Sequence, residues 1–329
     1  MGALLTLIVM LTIGMVAAPL TAGAQPSAKI PRIGLLQPGT SASAPHLLEA
    51  FKLGMRERGY VEGKDVVFEP RFGEFQRERV SEAAAELVRL KVDVIVTSTD
   101  QGIAAVKQQT QTIPIVMANS TDPVGTGFVA SLARPGGNIT GHSAMSPELS
   151  GKRLELLREL VLRLSRVAIL WNPDVRGAVL DYKETENAAR SLRLQLQSVE
   201  VGRADDLDRA FSAMTAGRAE ALIVPTPNPV AFSSRGEIVR LAQRNRLPAM
   251  YGVRDFADAG GLMAYGPNAA DMWRGAATFV DKILKGARPG DLPVEQARNF
   301  ELVINLGTAK MLGLTIPASL LRRADHVIQ

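Results

Sequence analysis

Apolar and polar residues follow two different periods along this chain, and their alternation predicts an α/β protein. From residue 32 onward, short apolar runs rich in Val and Ile are followed by longer stretches in which apolar residues recur every three or four positions. The run VDVIVT at 92–97 is apolar or small on both faces apart from Asp93, which is typical of a strand buried in a parallel sheet. Strands that alternate with helices of this length indicate right-handed βαβ units.

The alternation comes as two successive series, which predicts two doubly wound parallel-sheet lobes. Strands are predicted in the first series at 33–36, 66–70, 92–97, 115–117 and 139–144, and in the second at 167–171, 197–201, 221–224, 249–251, 261–265 and 300–304. A length of 329 residues also favours two domains over one. Because ligands bind outside the carboxyl ends of such strands, we expect a site in a cleft between the lobes.

The N-terminus predicts export. An apolar run at 3–20 is followed by TAGAQP, in which Ala22 and Ala24 form a small-residue cleavage pattern, so residues 1–24 are interpreted as a secretory signal peptide. The first 25 residues contain no Lys or Arg, and a retained membrane anchor is therefore the alternative. The chain has no cysteine and hence no lipobox, so we expect a periplasmic protein without a lipid anchor.

Composition excludes several classes of chemistry. Without cysteine the chain has no disulfide, thiolate nucleophile or Cys-ligated metal, and His46, His142 and His326 lack metal-ligand spacing. No G-x-S-x-G or Walker A sequence occurs. The excess of five positive charges is scattered along the chain, which does not indicate nucleic acid as a partner. We therefore expect no enzymatic activity, no metal and no cofactor.

One segment matches a nucleotide-binding pattern without its context. Residues 125–130 (GTGFVA) fit G-x-G-x-x-A, but a dinucleotide fingerprint lies in the turn directly after its strand. Here Asp122 and Pro123 stand between the predicted strand and the glycines. The match is interpreted as accidental, although a nucleotide-dependent α/β enzyme stays an alternative function.

Several longer segments carry a family resemblance. Residues 113–141, 169–173 (ILWNP), 247–252 (LPAMYG), 259–267 (AGGLMAYGP), 300–305 (FELVIN) and 312–317 (LGLTIP) resemble the ABC-transporter substrate-binding proteins, a family that includes tryptophan/phenylalanine-type binding proteins. The resemblance implies the type I periplasmic-binding-protein fold, with several hinge crossings between lobes at 30–143 plus 268–288 and at 144–267 plus 289–329.

The resemblance also implies a function and its partners. The chain would be the extracytoplasmic solute-binding component of an ABC importer, a monomer that delivers a small molecule to a membrane permease. An amino acid with an aromatic side chain is the first expectation for the ligand, and another small carboxylate is the second. A ligand-sensing regulatory module on the same fold is the main alternative.

Candidate ligand-binding residues of the first lobe follow its predicted strands: Gly39, Ser41, Ser98, Thr99, Asn119 and Asp122. The hydroxyls of Ser98 and Thr99, with backbone N–H groups at a helix N-terminus, suit an anionic ligand group, and ordinary capping is the alternative. The Asp122 carboxylate suits an ammonium or hydroxyl group. Capping of a helix that begins at Pro123 is the favoured interpretation of Asp122.

Candidates in the second lobe are Asn172, Thr226, Tyr251 and Tyr265, each at a predicted strand end. An amide at Asn172 is able to hydrogen-bond a ligand. Tyr251 and Tyr265 each offer an apolar face and a polar tip, which suits a flat ligand, whereas burial with local hydrogen bonds is the alternative. Capture by domain closure about hinges near Ser143 and residues 265–267 is the expected mechanism.

Overall fold

The structure is a computed structural model that describes residues 29–43, 45–225 and 228–329. The predicted signal peptide at 1–24 and the candidate Thr226 lie outside the described residues. Within these described ranges, no helix is both long enough and apolar enough to cross a bilayer.

Strands and helices alternate as the sequence predicts. The strands are β1 (Arg32–Gln37), β2 (Val67–Phe72), β3 (Val94–Ser98), β4 (Ile115–Ser120), β5 (Ile139–Ser143), β6 (Arg166–Trp171), β7 (Gln195–Glu200), β8 (Ala221–Val224), β9 (Ala249–Tyr251), β10 (Met263–Pro267), β11 (Glu295–Gln296), β12 (Phe300–Asn305) and β13 (His326–Ile328). The α-helices are α1 (Pro45–Glu57), α2 (Arg77–Arg89), α3 (Thr99–Gln109), α4 (Ser150–Leu160), α5 (Arg176–Ser191), α6 (Leu207–Ala216), α7 (Pro229–Ser233), α8 (Arg235–Arg244), α9 (Arg254–Asp258), α10 (Ala269–Leu284), α11 (Leu306–Met311) and α12 (Ala318–Arg323).

The strands form two sheets with matching topology. The first has the order β11-β5-β4-β3-β1-β2, and the second has the order β13-β12-β10-β9-β8-β6-β7. All strand pairs are parallel except β10 with β12. In each sheet, the second strand lies on one side of the first strand and the third strand lies on the other side. This reversal of strand order is the switch point of a doubly wound fold. The predicted fold class is confirmed. We call the first sheet with its helices lobe 1, and the second sheet with its helices lobe 2.

Successive side chains of each strand point to opposite faces of the sheet, so each lobe has two cores. In β1, Ile33 and Leu35 pack with α1 and α10, whereas Leu36 packs on the opposite face with α2 and α3. In β6, Ile169 faces a core with α4, and Leu170 faces one with α6 and α8. Helices therefore cover both faces of each sheet, which leaves the strand ends as the place for a site.

The chain passes between the lobes three times: after β5, at Asn268 between β10 and α10, and between β11 and β12. The last two crossings are tied together, because the Asn268 N–H donates to the Asn299 carbonyl at 3.0 Å. β11 pairs with β5 in the first sheet, although the predicted lobe 2 included 289–329. The short strand covers the edge of β5 before the chain leaves lobe 1, and the assignment of the remaining residues to lobes stays a prediction.

Candidate ligand-binding cleft

A cleft of about 150 Å³ lies between the two lobes. Its walls are the loops that follow the carboxyl ends of strands in both sheets, with Gln37, Ser98 and Asn119 from lobe 1 and Pro225, Gly252 and Pro267 from lobe 2 among them. A cavity of this volume is large enough for a benzene ring. The cleft is therefore sized for a small solute.

Two phenylalanines from opposite lobes meet at the cleft. Phe75 follows β2, and Phe232 lies in α7. Their ring centroids are 5.6 Å apart at an angle of 37°, and both rings line the cleft. The Arg235 guanidinium lies 5.0 Å from the centre of the Phe232 ring. Together these rings give the cleft an aromatic wall that draws on both lobes.

The backbone beside the cleft is strained at Thr99, where β3 is followed directly by α3. Thr99 has a φ of +62°, in the left-handed region that β-branched residues seldom adopt. Its hydroxyl accepts a long hydrogen bond from the Gly102 N–H, at 3.4 Å. Strain of this kind collects at functional sites, where the surrounding fold holds it in place.

Asp100, in the first turn of α3, is held by one of its two carboxylate oxygens. Oδ1 accepts hydrogen bonds from the Ser120 hydroxyl at 3.0 Å and from the Thr121 N–H at 3.1 Å. Oδ2 is shielded from solvent and has no hydrogen-bond partner. Burial raises the pKa of Asp100, against the lowering effect of the hydrogen bonds from Thr121 and Ser120.

Arg153 brings a buried cation to the wall of lobe 2. Its Nε donates to the Tyr265 carbonyl at 2.9 Å, and Nη1 donates to the Ser146 carbonyl at 3.1 Å. The Ser146 hydroxyl in turn donates to Asp181 Oδ2 at 3.2 Å. Burial lowers the pKa of Arg153, and it raises the pKa of Asp181 to about 7, which the Arg153 charge opposes.

The lobes touch directly beside Asp100. Gly177, the second residue of α5, lies so close to lobe 1 that a Cβ atom there would be 2.1 Å from Asp100 Oδ2 and 2.9 Å from the Thr121 hydroxyl. The Ser146 N–H also donates across the boundary to the Thr121 carbonyl, at 3.3 Å. These contacts and the paired phenylalanines bring the two lobes into direct contact at the cleft.

Comparison with known proteins identifies the family. Residues 33–328 match the family described as ABC transporter substrate binding protein. The chain belongs to this family.

Individual relatives and solved structures are similar to this substrate-binding protein. A tyrosine-binding protein of Clostridioides difficile (strain R20291) is 25% identical over 88% of the chain and 82% of the relative. The crystal structure of an ABC domain from Streptococcus pneumonia in complex with L-Trp has a TM-score of 0.85 and 26% identity, over 91% of this chain and 99% of that one. A conserved domain protein from Vibrio cholerae has the same TM-score and identity, over 91% and 100%.

Four of the predicted site residues of this substrate-binding protein line the cleft: Gly39, Ser98, Thr99 and Asn119. They share a position at the carboxyl ends of β1, β3 and β4. Their contact with a ligand stays a prediction.

Five other predicted site residues lie outside the cleft lining, and local hydrogen bonds explain two of them. Asp122 Oδ1 accepts from the N–H groups of Val124 and Gly125 at 3.1 and 2.9 Å, so it caps a turn, as the favoured alternative supposed, although no helix begins at Pro123. Asn172 Oδ1 similarly accepts from the Asp174 N–H at 2.9 Å. Ser41 lies in an exposed turn.

Both predicted tyrosines are used for packing. Tyr251 is 1% exposed and stacks on Phe256 at 4.7 Å, and its burial raises the pKa of the hydroxyl. Tyr265 meets the Arg153 network through its carbonyl oxygen, and its ring lies 6.4 Å from that of Phe300. The aromatic wall therefore comes from different residues than the sequence indicated.

Four residues of the cleft lining were not predicted from the sequence: Asp100, Arg153, Phe75 and Phe232. An acid or an arginine in the first turns of an amphipathic helix is ordinarily a solvated charge, and the two phenylalanines lie in short loops or helices without periodicity. The position of Asp100 directly after Ser98 and Thr99, at the end of a buried strand, was the one usable signal.

Proposed function

We propose that this substrate-binding protein captures an amino acid with an aromatic side chain between its lobes, outside the cytoplasm, and presents it to the membrane permease of an ABC importer. The observation that carries the proposal is the pair of Phe75 and Phe232 rings, one from each lobe, in the wall of a cleft sized for one ring. Aromatic rings favour other aromatic rings in offset or edge-to-face contact. The relatives named for tyrosine and bound to L-Trp support the same ligand class.

Capture by domain closure is the mechanism that we propose. Cleft-lining residues belong to both lobes, so a solute contacts all of them only when the lobes are closed. A ligand that binds the closed form better than the open form shifts the equilibrium towards it. Three chain crossings provide the hinge, including the predicted segments near Ser143 and residues 265–267.

The proposal includes binding without chemical change and export of the chain by the signal peptide predicted at 1–24. The cleft is lined by Phe75, Phe232, Trp273 and several proline and aliphatic residues, together with amides, hydroxyls and a few ionisable groups, a set that suits recognition. The permease would recognise the closed form, which joins surfaces of both lobes into one.

The first test measures ligand binding by the purified protein, with calorimetric titration and thermal shift as the two methods. We expect L-Trp, L-Tyr or L-Phe to raise the melting temperature, because a ligand that binds the native state stabilises that state. L-Leu should raise the melting temperature less. Changing Phe75→Ala or Phe232→Ala should weaken binding by roughly tenfold, since an aromatic pair contributes about 0.5–1.5 kcal/mol beyond its buried area.

The matched control is Phe128→Ala, which removes a half-buried ring outside the cleft lining and should leave the affinity unchanged. Equal affinities for wild type, Phe75→Ala and Phe232→Ala would contradict the aromatic wall. The absence of any thermal shift with aromatic amino acids would reject this ligand class.

A further inference from the structure

We infer that the end of lobe 2 opposite the cleft binds the surface of an anionic phospholipid bilayer, through four arginines and an exposed leucine. The four are Arg163, Arg193, Arg218 and Arg246, which we call the arginine row. The inference goes beyond the proposed function, because it concerns a different surface and does not depend on which solute the cleft binds. A protein bound to lipid in this way keeps its cleft open to solvent.

The arginine row lies along one edge of the second sheet. Its members precede β6, β7, β8 and β9 by two or three residues, and these strands are parallel neighbours in the order β9-β8-β6-β7. Hydrogen bonds join the connections: the Gln195 N–H donates to the Ser165 carbonyl at 2.8 Å, and Arg166 Nη1 donates to the Gly217 carbonyl at 2.9 Å. Adjacent strands are about 4.8 Å apart, so the row spans roughly 15 Å. The cleft loops follow the other ends of the strands, so the row lies at the opposite end of the lobe.

The backbone of the row is firmly held. All four residues have φ between +51° and +65°. In three connections the residue after the arginine donates its N–H back to the preceding helix, as in a Schellman motif: Leu194 to Ala189, Ala219 to Met214 and Leu247 to Ala242, at 2.8–3.0 Å. The leucines that follow Arg163, Arg193 and Arg246 are buried. Each arginine therefore leaves the surface at a fixed place.

The charges of the row are exposed and are not compensated by the protein. All four arginines are exposed, and their side chains form no hydrogen bond or ion pair with any described residue. The connections at 161–166, 191–195, 216–220 and 244–248 contain six arginines and one acid, Glu220. Glu220 already accepts from the N–H groups of Ser165 and Arg166, at 2.7 and 3.1 Å. Charges that are scattered in the sequence are thus gathered at one edge of a parallel sheet.

The helix dipole does not by itself explain the row. A basic residue is favoured at the end of any helix, so the dipole should give both lobes the same pattern. The corresponding edge of lobe 1 is mixed in charge, since Lys64 is followed by Asp65 before β2, and Lys91 by Asp93 before β3. The segment before β4, at 110–114, has no charged residue. An unmixed basic edge is therefore a property of lobe 2.

A large apolar side chain stands beside the row. Leu162 is 86% exposed, the highest value among the large hydrophobic residues of the described chain, and it directly precedes Arg163. Basic side chains are attracted to anionic headgroups, and an apolar side chain is stabilised at the boundary between headgroups and acyl chains. A soluble polyanion would contact the arginines but would leave the leucine in water. The two features together favour a bilayer as the partner.

The first experiment measures co-sedimentation of the protein with vesicles of phosphatidylcholine alone or of phosphatidylcholine and phosphatidylglycerol in equal amounts. We expect wild type to prefer the anionic vesicles and to lose this preference when the salt concentration rises from about 0.05 to about 0.5 M, because salt screens the charges. The apolar segment at 3–20 has no charged residue, so it does not distinguish the two kinds of vesicle by charge.

The variant that tests the row changes all four arginines to glycine, which adopts left-handed backbone without strain. Binding to anionic vesicles should weaken more than about 100-fold, since each basic residue near such a surface contributes about fivefold. The matched control removes four exposed basic residues of lobe 1 that form no ion pair, and it should retain most of the binding: Arg56→Gln, Lys64→Gln, Arg77→Gln and Arg89→Gln. Leu162→Ser should weaken binding by about tenfold, because an apolar side chain is no longer buried.

A local measurement uses the absence of cysteine from the chain. Ala216→Cys places a single thiol at the exposed end of α6, two residues before Arg218, and Ser41→Cys places one in the exposed turn of lobe 1. With an environment-sensitive dye on the thiol, anionic vesicles should shift the emission of the Ala216→Cys protein to the blue and leave that of the Ser41→Cys protein unchanged.

Several outcomes would overturn the inference. Equal binding of wild type to both kinds of vesicle would do so without any variant, as would a dye response at Ser41→Cys and none at Ala216→Cys. A loss in the lobe 1 control as large as that in the glycine variant would show that net charge alone is responsible. Binding of linear polyphosphate through the row, without binding of anionic vesicles, would identify a soluble polyanion as the partner. None of these results bears on the proposed function, because the glycine variant should bind the same solutes as wild type.

Discussion

Asp181 and Arg153 place ionisable groups in the interior of lobe 2, where they are 0% and 1% exposed. Neither is recognisable from the sequence, because both occupy helices whose pattern is amphipathic and whose other charges are solvated. Sequence reasoning found the polar loop residues at strand ends, such as Ser98 and Asn119, since topology alone puts them there. It could not find residues whose role depends on how one helix packs on another, as α4 packs on α5 through Arg153, Ser146 and Asp181.

The raised pKa of Asp181 predicts a pH dependence of stability. Its pKa is about 7 in the folded protein against 3.8 for the free side chain, so the folded state holds a proton that the unfolded state has lost between about pH 4 and 7. The free energy of unfolding of wild type should therefore fall, relative to Asp181→Asn, as pH rises through this window, by on the order of 2–4 kcal/mol.

Urea unfolding of both proteins at about pH 4.5, 6 and 7.5 measures this difference. The exposed Asp205→Asn serves as the control, and its difference from wild type should not depend on pH in the same way. A constant difference between wild type and Asp181→Asn would show that Asp181 is ionised throughout.

Among the elements, strands and helices were the most predictable features. The nearly continuous apolar runs of β1 and β6 follow from burial of both faces, and the period of three to four in the helices follows from burial of one face; both patterns depend on the sequence nearby. The two-residue strand β11 and the C-terminal strand β13 were not predicted. Both lie at sheet edges, where pairing with a neighbouring strand decides the conformation and the segment itself is too short to show a period.

Five connections that lead into strands of the two sheets share a residue type and a conformation. Lys91, Arg163, Arg193, Arg218 and Arg246 have φ between +51° and +65°. Each lies in the left-handed region that terminates helices and favours glycine, and each is a basic residue, which suits the negative end of a helix dipole.

Arg193→Gly is therefore expected to raise the free energy of unfolding by about 0.5 kcal/mol, because relief of left-handed strain exceeds the entropy cost of glycine. Arg193 is exposed, so no packing is lost. Arg193→Ala keeps the Cβ atom and should give no gain. A stability loss in Arg193→Gly as large as that in Arg193→Ala would mean that the charge matters more than the backbone.

At the scale of the whole molecule, the sequence predicted two lobes with a cleft between them, and the order of strands in each sheet agrees with that fold. The exact crossovers lie beyond a single sequence, because they depend on which sheet a segment such as 295–296 joins. The close approach of the two lobes at Gly177 requires a residue without a Cβ atom, and no periodic pattern marks that position.

Gly177→Val should wedge the lobes apart, since its Cβ would lie 2.1 Å from Asp100 Oδ2 when they are closed. We expect affinity for the aromatic amino acid bound by wild type to fall more than tenfold, because a ligand favours the closed state only if that state is accessible. Small-angle scattering should show no compaction on ligand addition. Gly151→Val is the control, as it is also the second residue of a helix and its nearest neighbour would be the Ala188 Cβ, at 3.9 Å. Unchanged affinity in Gly177→Val would show that the ligand is held without this contact.

Helix α10 comes late in the chain, yet its Trp273 and Phe279 complete a core that begins with Ile33 and Leu35. During synthesis, one face of β1, β3 and β4 is therefore covered only in part, by α1, until every strand up to β10 has left the ribosome. Lobe 1 cannot finish folding before most of lobe 2 has been made, and chaperones have a long interval in which to hold the nascent chain.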